Sequence, residues 1–134
     1  MEHLCKNSPI PIALDEELIP HQTRERKLQL LEGLKPRYII LKPTLHGGIS
    51  GCEEWIDVAE SSGIEWWITS ALESNIGLNA ICQYTANHKI SLPQGLGTGS
   101  IYHNNIESPL RVSDGNIFLD KIKTWNLEPI FSEM

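Results

Sequence analysis

The strongest constraint on this chain is a unit that recurs along it: a short apolar run, a polar loop, then residues at helical spacing. The first run, Ile10-Pro11-Ile12-Ala13-Leu14, ends at Asp15-Glu16-Glu17. Thr23 is then placed to cap a helix over residues 24–34, with leucines at 28, 31 and 34 and with Gly33 and Pro36 marking its end. The second run, Tyr38-Ile39-Ile40-Leu41, ends at Lys42-Pro43-Thr44, and His46-Gly47-Gly48 turns the chain into a helix expected over 50–61. Glu53, Glu54 and Asp57 are expected in its first turns, where the helix dipole favours anions, and Ser62-Gly63 closes it. The third run spans 64–69 and ends at Ser70, after which Ser74 or Asn75 caps a helix over 76–86. The fourth is Ile90-Ser91-Leu92, stopped by Pro93. Residues 97–119 break the repeat with Gly, Asn, Ser and Pro and a strand-like stretch at 116–119, and residues 121–134 have no usable period.

Strands that alternate with helices imply a parallel sheet covered by helices, and unbroken apolar runs suit strands buried on both faces. The expected fold class is therefore α/β, with about four parallel strands and intervening helices. A complete eight-stranded (β/α) barrel needs about 250 residues. With 134 residues, the chain has the length of one domain, which is half of such a barrel or a small open sheet.

Composition excludes several functions. A formal net charge of −6 with no basic cluster argues against nucleic acid or an anionic membrane as partner. Residues 1–7 are polar and no apolar run nears the length of a membrane span, so neither a secretory leader nor a membrane anchor is expected. Cys5, Cys52 and Cys82 are far apart and odd in number, which suits a reduced, cytoplasmic protein. The histidines have no zinc-like pairing, and Trp55, Trp66, Trp67 and Trp125 read as packing residues.

In parallel α/β folds reactive groups gather at the C-terminal ends of strands. Asp15, with Glu16 beside it, offers hard oxygens suited to Mg2+, or else both acids solvate a loop or cap the next helix. Lys42 directly follows a buried-type strand and precedes proline; it is either a base or fixed cation beside developing charge, or a lysine snorkelling to water. The segment from Ser70 to Ser74 either hydrogen-bonds a substrate carboxylate or caps the following helix. The glycines at 47–48 and 95–99 match no phosphate-loop pattern.

Taken in order, the strand ends resemble the enolase superfamily over residues 8–119. Ile12-Ala13-Leu14-Asp15-Glu16 resembles its fifth barrel strand, where the aspartate is the third metal ligand. Leu41-Lys42-Pro43-Thr44-Leu45 followed by Gly47-Gly48 resembles the sixth strand of the o-succinylbenzoate synthases, and the run Ser70 to Leu78 resembles their seventh. Gly95-Leu96-Gly97-Thr98-Gly99, then Asn104-Asn105 and Ser108-Pro109-Leu110, resembles the eighth strand and the return segment. The dipeptide epimerases carry an acidic D-x-D where this chain has Gly97-Thr98-Gly99, which favours the synthases.

The resemblance implies a Mg2+-assisted syn-dehydration of a cyclohexadiene carboxylate to o-succinylbenzoate, in menaquinone biosynthesis. It assigns Asp15 to the metal, Glu16 to support behind it, Lys42 to catalysis, and Ser70, Ser74, Gly97 and Thr98 to a small-molecule carboxylate substrate. The chain departs from the family pattern in carrying no capping domain, no second- to fourth-strand segments and so no K-x-K motif on a second strand. Residues 1–134 are thus expected to be one partial barrel domain, strands five to eight plus the return segment, with Met1 either an artificial start or a start assigned inside a longer gene. Two of three metal ligands are expected elsewhere, the chain alone is expected to be inactive, and it should self-associate or need the missing N-terminal half. The alternatives are another superfamily member (dipeptide epimerase, N-acylamino acid racemase or cycloisomerase) and a non-catalytic α/β binding or assembly domain.

Overall fold

The computed structural model describes residues 1–97 and 101–131. They group into two units, Met1–Thr69 with Ile90–Gly95, and Ser70–Lys89 with Leu96–Met134.

The first unit opens on a short helix α1 (Glu2–Asn7) and is built on strands β1 (Ala13–Leu14), β2 (Tyr38–Leu41) and β3 (Glu65–Ile68). These pair in sequence order, and both pairings are parallel, as the repeated unit requires. Helix α2 (Arg24–Leu34) connects β1 to β2 and α3 (Gly48–Ser61) connects β2 to β3. The pleat sends alternate side chains to opposite faces. Leu14, Ile39, Leu41 and Ile68 are fully buried, on the side packed by α3 through Cys52, Trp55, Ile56, Val58 and Ala59. The opposite face, carrying Ala13, Tyr38, Ile40 and Trp67, is only half-buried, against the expectation of strands buried on both sides.

Several sequence expectations change in detail. The fourth strand does not form at Ile90-Ser91-Leu92, where the backbone is irregular and Ile90 is exposed. The chain instead makes one parallel bridge further on, between Gly95 and Thr69. Glycine is required there, because a Cβ on residue 95 would lie 2.4 Å from Thr69 Oγ1. Thr23 caps α2 as expected, its Oγ1 accepting from Arg26 N at 3.4 Å. The left-handed residue that ends α2 is Lys35, not Gly33, which lies within the helix. The buried stripe of α2 is Lys27 and Leu31; Leu28 faces outward. Helix α3 begins two residues earlier than expected, so none of its acids falls in the first turn, and two of them pair across to α2. Asp57 meets Arg24, and Glu54 meets the buried Lys27 at 2.5 Å, with the Lys27 ammonium 5.3 Å from the centre of the buried Trp55 ring. A cation desolvated between a carboxylate and an aromatic face keeps its charge satisfied.

The second unit contains helix α4 (Asn75–Ala86), the antiparallel hairpin of β4 (Leu110–Ser113) and β5 (Asn116–Leu119), and a short helix α5 (Glu128–Phe131). The strand-like stretch read in the sequence is β5, and its turn is closed by Asp114 and Gly115, both at positive φ. Helix α5 falls in the tail that the sequence left unassigned.

Candidate active site

Lys42 and Asp15 stand at the C-terminal ends of adjacent parallel strands, and the register places them on the half-covered face of the sheet. Ala13 pairs with Tyr38, so Asp15, two residues on, and Lys42, four residues on, continue the same pleat. Lys42 Nζ lies 2.8 Å from both carboxylate oxygens of Asp15. Its geometry directs a hydrogen bond to Oδ2 only, and Oδ1 is buried with no directed hydrogen bond among the described residues. Lys42 does not snorkel to water: its side chain is 15% exposed, against 34% for Asp15. Glu16 begins a 3-10 turn (Glu16–Leu18) and is exposed; it is Glu17, not Glu16, whose carboxylate accepts the Asp15 N–H.

The backbone after β2 is wound around Lys42. Its carbonyl accepts from Leu45 N at 2.8 Å and His46 N at 3.0 Å, and Gly48 N donates to Pro43 O. Its own N–H leaves the sheet ladder and donates to His46 Nδ1 at 2.9 Å. His46 is 2% exposed, and burial pushes its pKa down to about 4, with Lys42 and Lys27 lowering it further against the pull of Asp15. The ring is therefore neutral near pH 7, and because Nδ1 accepts, the proton sits on Nε2. From sequence, His46 reads only as a turn residue. Its burial was the missing signal, and a histidine beside two glycines does not advertise it.

In the second unit, Ser70 is buried and Ser74 is exposed. Of the two residues read as candidate caps, Ser74 occupies the N-cap position of α4, without a side-chain cap bond, and Asn75 is the first residue of the helix. The Asn75 N–H is taken by Asn105 Oδ1 at 2.9 Å, and the Asn75 amide donates back to Ile106 O at 2.6 Å. Together with Tyr102 Oη donating to Leu72 O, these bonds fasten the 102–106 segment beside the start of α4, around a cavity of about 380 Å3 that Leu72 and Ser74 also line. Gly97 is exposed, and a Cβ there would meet nothing within 4 Å. Thr98 lies outside the described residues.

A hard cation needs several oxygen ligands. Asp15 Oδ1, buried without a directed hydrogen bond, suits one of them. Among the described residues no group of three or more His, Cys, Asp or Glu side chains could hold a metal ion. The described residues therefore fit one corner of a Mg2+ site and not a whole one.

Parallel strands in sequence order, helices on the crossovers, and an acid and a lysine at consecutive strand ends define a segment of a (β/α) barrel. The profile of the family described as enolase C-terminal domain-like matches residues 1–122. The chain belongs to that family. It is 53% identical over 115 residues to the o-succinylbenzoate synthase of Desulfotalea psychrophila strain LSv54, an overlap of 86% of this chain and 31% of that protein. The crystal structure of MenC from Desulfotalea psychrophila LSv54 superposes with a TM-score of 0.83 at 52% identity, over 87% of this chain and 32% of that one. The L-Ala-D/L-Glu epimerase of Bacillus subtilis shares the fold, with a TM-score of 0.75 at 21% identity over 88% of this chain and 32% of that one. The chain thus spans about a third of the length of these relatives. No helix among the described residues is long and apolar enough to cross a membrane.

Proposed function

We propose that these residues supply the later strands and part of the active site of an o-succinylbenzoate synthase, a carbon–oxygen lyase of menaquinone biosynthesis working in the cytoplasm. The observation that carries the reading is the Asp15–Lys42 pair at adjacent strand ends, in a chain 53% identical over 115 residues to a synthase. A half-buried ammonium fixed by a carboxylate is a preorganised countercharge for an oxygen that becomes negative when a proton is removed next to a carboxyl group. Lys42 performs that task without moving, and Asp15 keeps it aimed. Mg2+, when bound by Asp15 with carboxylates from other strands, supplies the larger share of the countercharge. Ser70 and Ser74 are proposed to meet the small carboxylate substrate, with Gly97 and Thr98 leaving room for it, and Glu16 to lie behind the metal ligand.

The 134 residues hold one of the three expected metal ligands, so the chain alone should turn over little substrate. The half-covered face of Ala13, Tyr38, Ile40 and Trp67 is proposed to be closed by a complementing half-barrel or by a second copy. Light scattering that shows a stable monomer at high concentration would count against this. The functional test is dehydration of the cyclohexadiene carboxylate by the chain alone and by the chain joined to the preceding part of the Desulfotalea enzyme. Turnover only in the joined, Mg2+-loaded protein is expected. A folded joined protein that forms no o-succinylbenzoate, or that racemises an amino acid derivative instead, overturns the reading.

A further inference from the structure

We propose that His46 is the positioning residue of Lys42: its neutral ring ties the end of β2 to the following turn and so fixes where the Lys42 ammonium stands. This rests on the reading of Lys42 as a reactive group. Three features of the turn carry it.

The first is the hydrogen-bond accounting. A backbone N–H buried at a strand end must find an acceptor. For Lys42 that acceptor is a side chain, His46 Nδ1 at 2.9 Å, while the Lys42 carbonyl receives the His46 N–H at 3.0 Å. The two residues therefore clasp each other through both backbone groups of Lys42. No other side chain among the described hydrogen bonds reaches the Lys42 N–H.

The second is what the clasp gives up. His46 Nε2 is buried and has no hydrogen-bond partner among the described residues. Burying an unpaired N–H is unfavourable, and a leucine of similar bulk would avoid it. What leucine cannot provide is the acceptor at Nδ1. Among the described residues the bond to the Lys42 N–H is the hydrogen bond that the imidazole makes.

The third is the fit of α3 around the clasp. A Cβ on Gly51 would lie 2.0 Å from His46 O, so glycine lets the helix backbone close directly on the residue. Gly47 and Gly48, at φ +85 and +73, reverse the chain within two residues of His46. The strand end, the turn and the helix start form one braced piece, and Lys42 Nζ extends from it to Asp15.

The test uses the whole 134-residue chain, labelled with 15N, and two variants. His46→Asn keeps an acceptor in the place of Nδ1, because the asparagine Oδ1 sits at the same branch; His46→Leu removes it. In the unsubstituted chain, the His46 ring should be protonated at Nε2 with Nδ1 accepting. The Lys42 amide should exchange at a similar rate in His46→Asn and about tenfold or more faster in His46→Leu. In the protein joined to a complementing half-barrel, His46→Leu should lower kcat more than it raises KM, and His46→Asn should restore kcat. A ring protonated at Nδ1, an asparagine variant no better than the leucine one, or a leucine variant with unchanged Lys42 exchange overturns the proposal. If the leucine variant does not fold, the ring tautomer and the asparagine variant still decide. A clasp confirmed by exchange in a joined protein without synthase turnover would sink the functional reading and leave the positioning role standing.

Discussion

Lys42 Nζ stands 2.8 Å from both oxygens of Asp15, across two neighbouring parallel strands and 27 residues of sequence. Neither group is fully buried, so part of their attraction is screened by solvent. The pair should still couple measurably because Lys42 is mostly covered. Asp15→Ala and Lys42→Ala should each destabilise the chain by about 1–2 kcal/mol, and the double variant should lose about 1 kcal/mol less than the sum. Urea unfolding of the four proteins measures this. Strict additivity would mean that the two side chains do not feel each other.

The buried imidazole of His46 makes stability depend on pH. Its folded pKa is about 4, below the ordinary 6.5, because burial disfavours its charged form. The unfolded chain therefore takes up a proton near pH 6.5 that the folded chain refuses until near pH 4. The contribution is fully present above pH 6.5, declines as the pH falls to about 4, and then levels off. Asp15, Lys42 and Lys27 are the charged groups that act on the ring. Across that window the unsubstituted chain should lose up to about 3 kcal/mol more than His46→Asn. Equal acid sensitivity in urea titrations of the two proteins would show that His46 is not buried as a neutral ring.

Two glycines in helices should respond to alanine in opposite directions. At Gly51 the added Cβ would lie 2.0 Å from His46 O, a backbone atom that cannot step aside, and the cost should be about 2 kcal/mol or more. At Gly33, exposed within α2, the Cβ meets nothing within 4 Å, and alanine should stabilise by roughly 0.5–1 kcal/mol. Thermal melts compare the two. A neutral Gly51→Ala would mean that α3 does not close on the turn as described.

The parallel order of β1, β2 and β3 was legible because apolar runs and helical periods alternate without interruption through residue 69. Asp15 and Lys42 were legible as strand-end residues for the same reason. What the sequence could not show depended on contacts between distant segments. Thr23 announces its cap three residues ahead, but Asn105 serves the start of α4 from 30 residues away. Lys27 occupies a core position that its type argues against, because Glu54 and Trp55 on another helix make it tolerable there. The fourth apolar run misled for a related reason: residues 90–92 look like a strand, whereas pairing is decided at Gly95, where only glycine can approach Thr69.

The central claim is that Lys42 and Asp15 form the part of a synthase site that this chain contributes. The measurement that tests it most directly is kcat for Lys42→Ala in the chain joined to a complementing half-barrel, with Asp15→Ala measured for Mg2+ affinity by calorimetry. Losing a preorganised countercharge of this kind should lower kcat on the order of 10²-fold or more. Asp15→Ala should weaken Mg2+ binding at least about tenfold. Formation of o-succinylbenzoate at an unchanged rate by Lys42→Ala, with unchanged Mg2+ affinity in Asp15→Ala, would contradict the account.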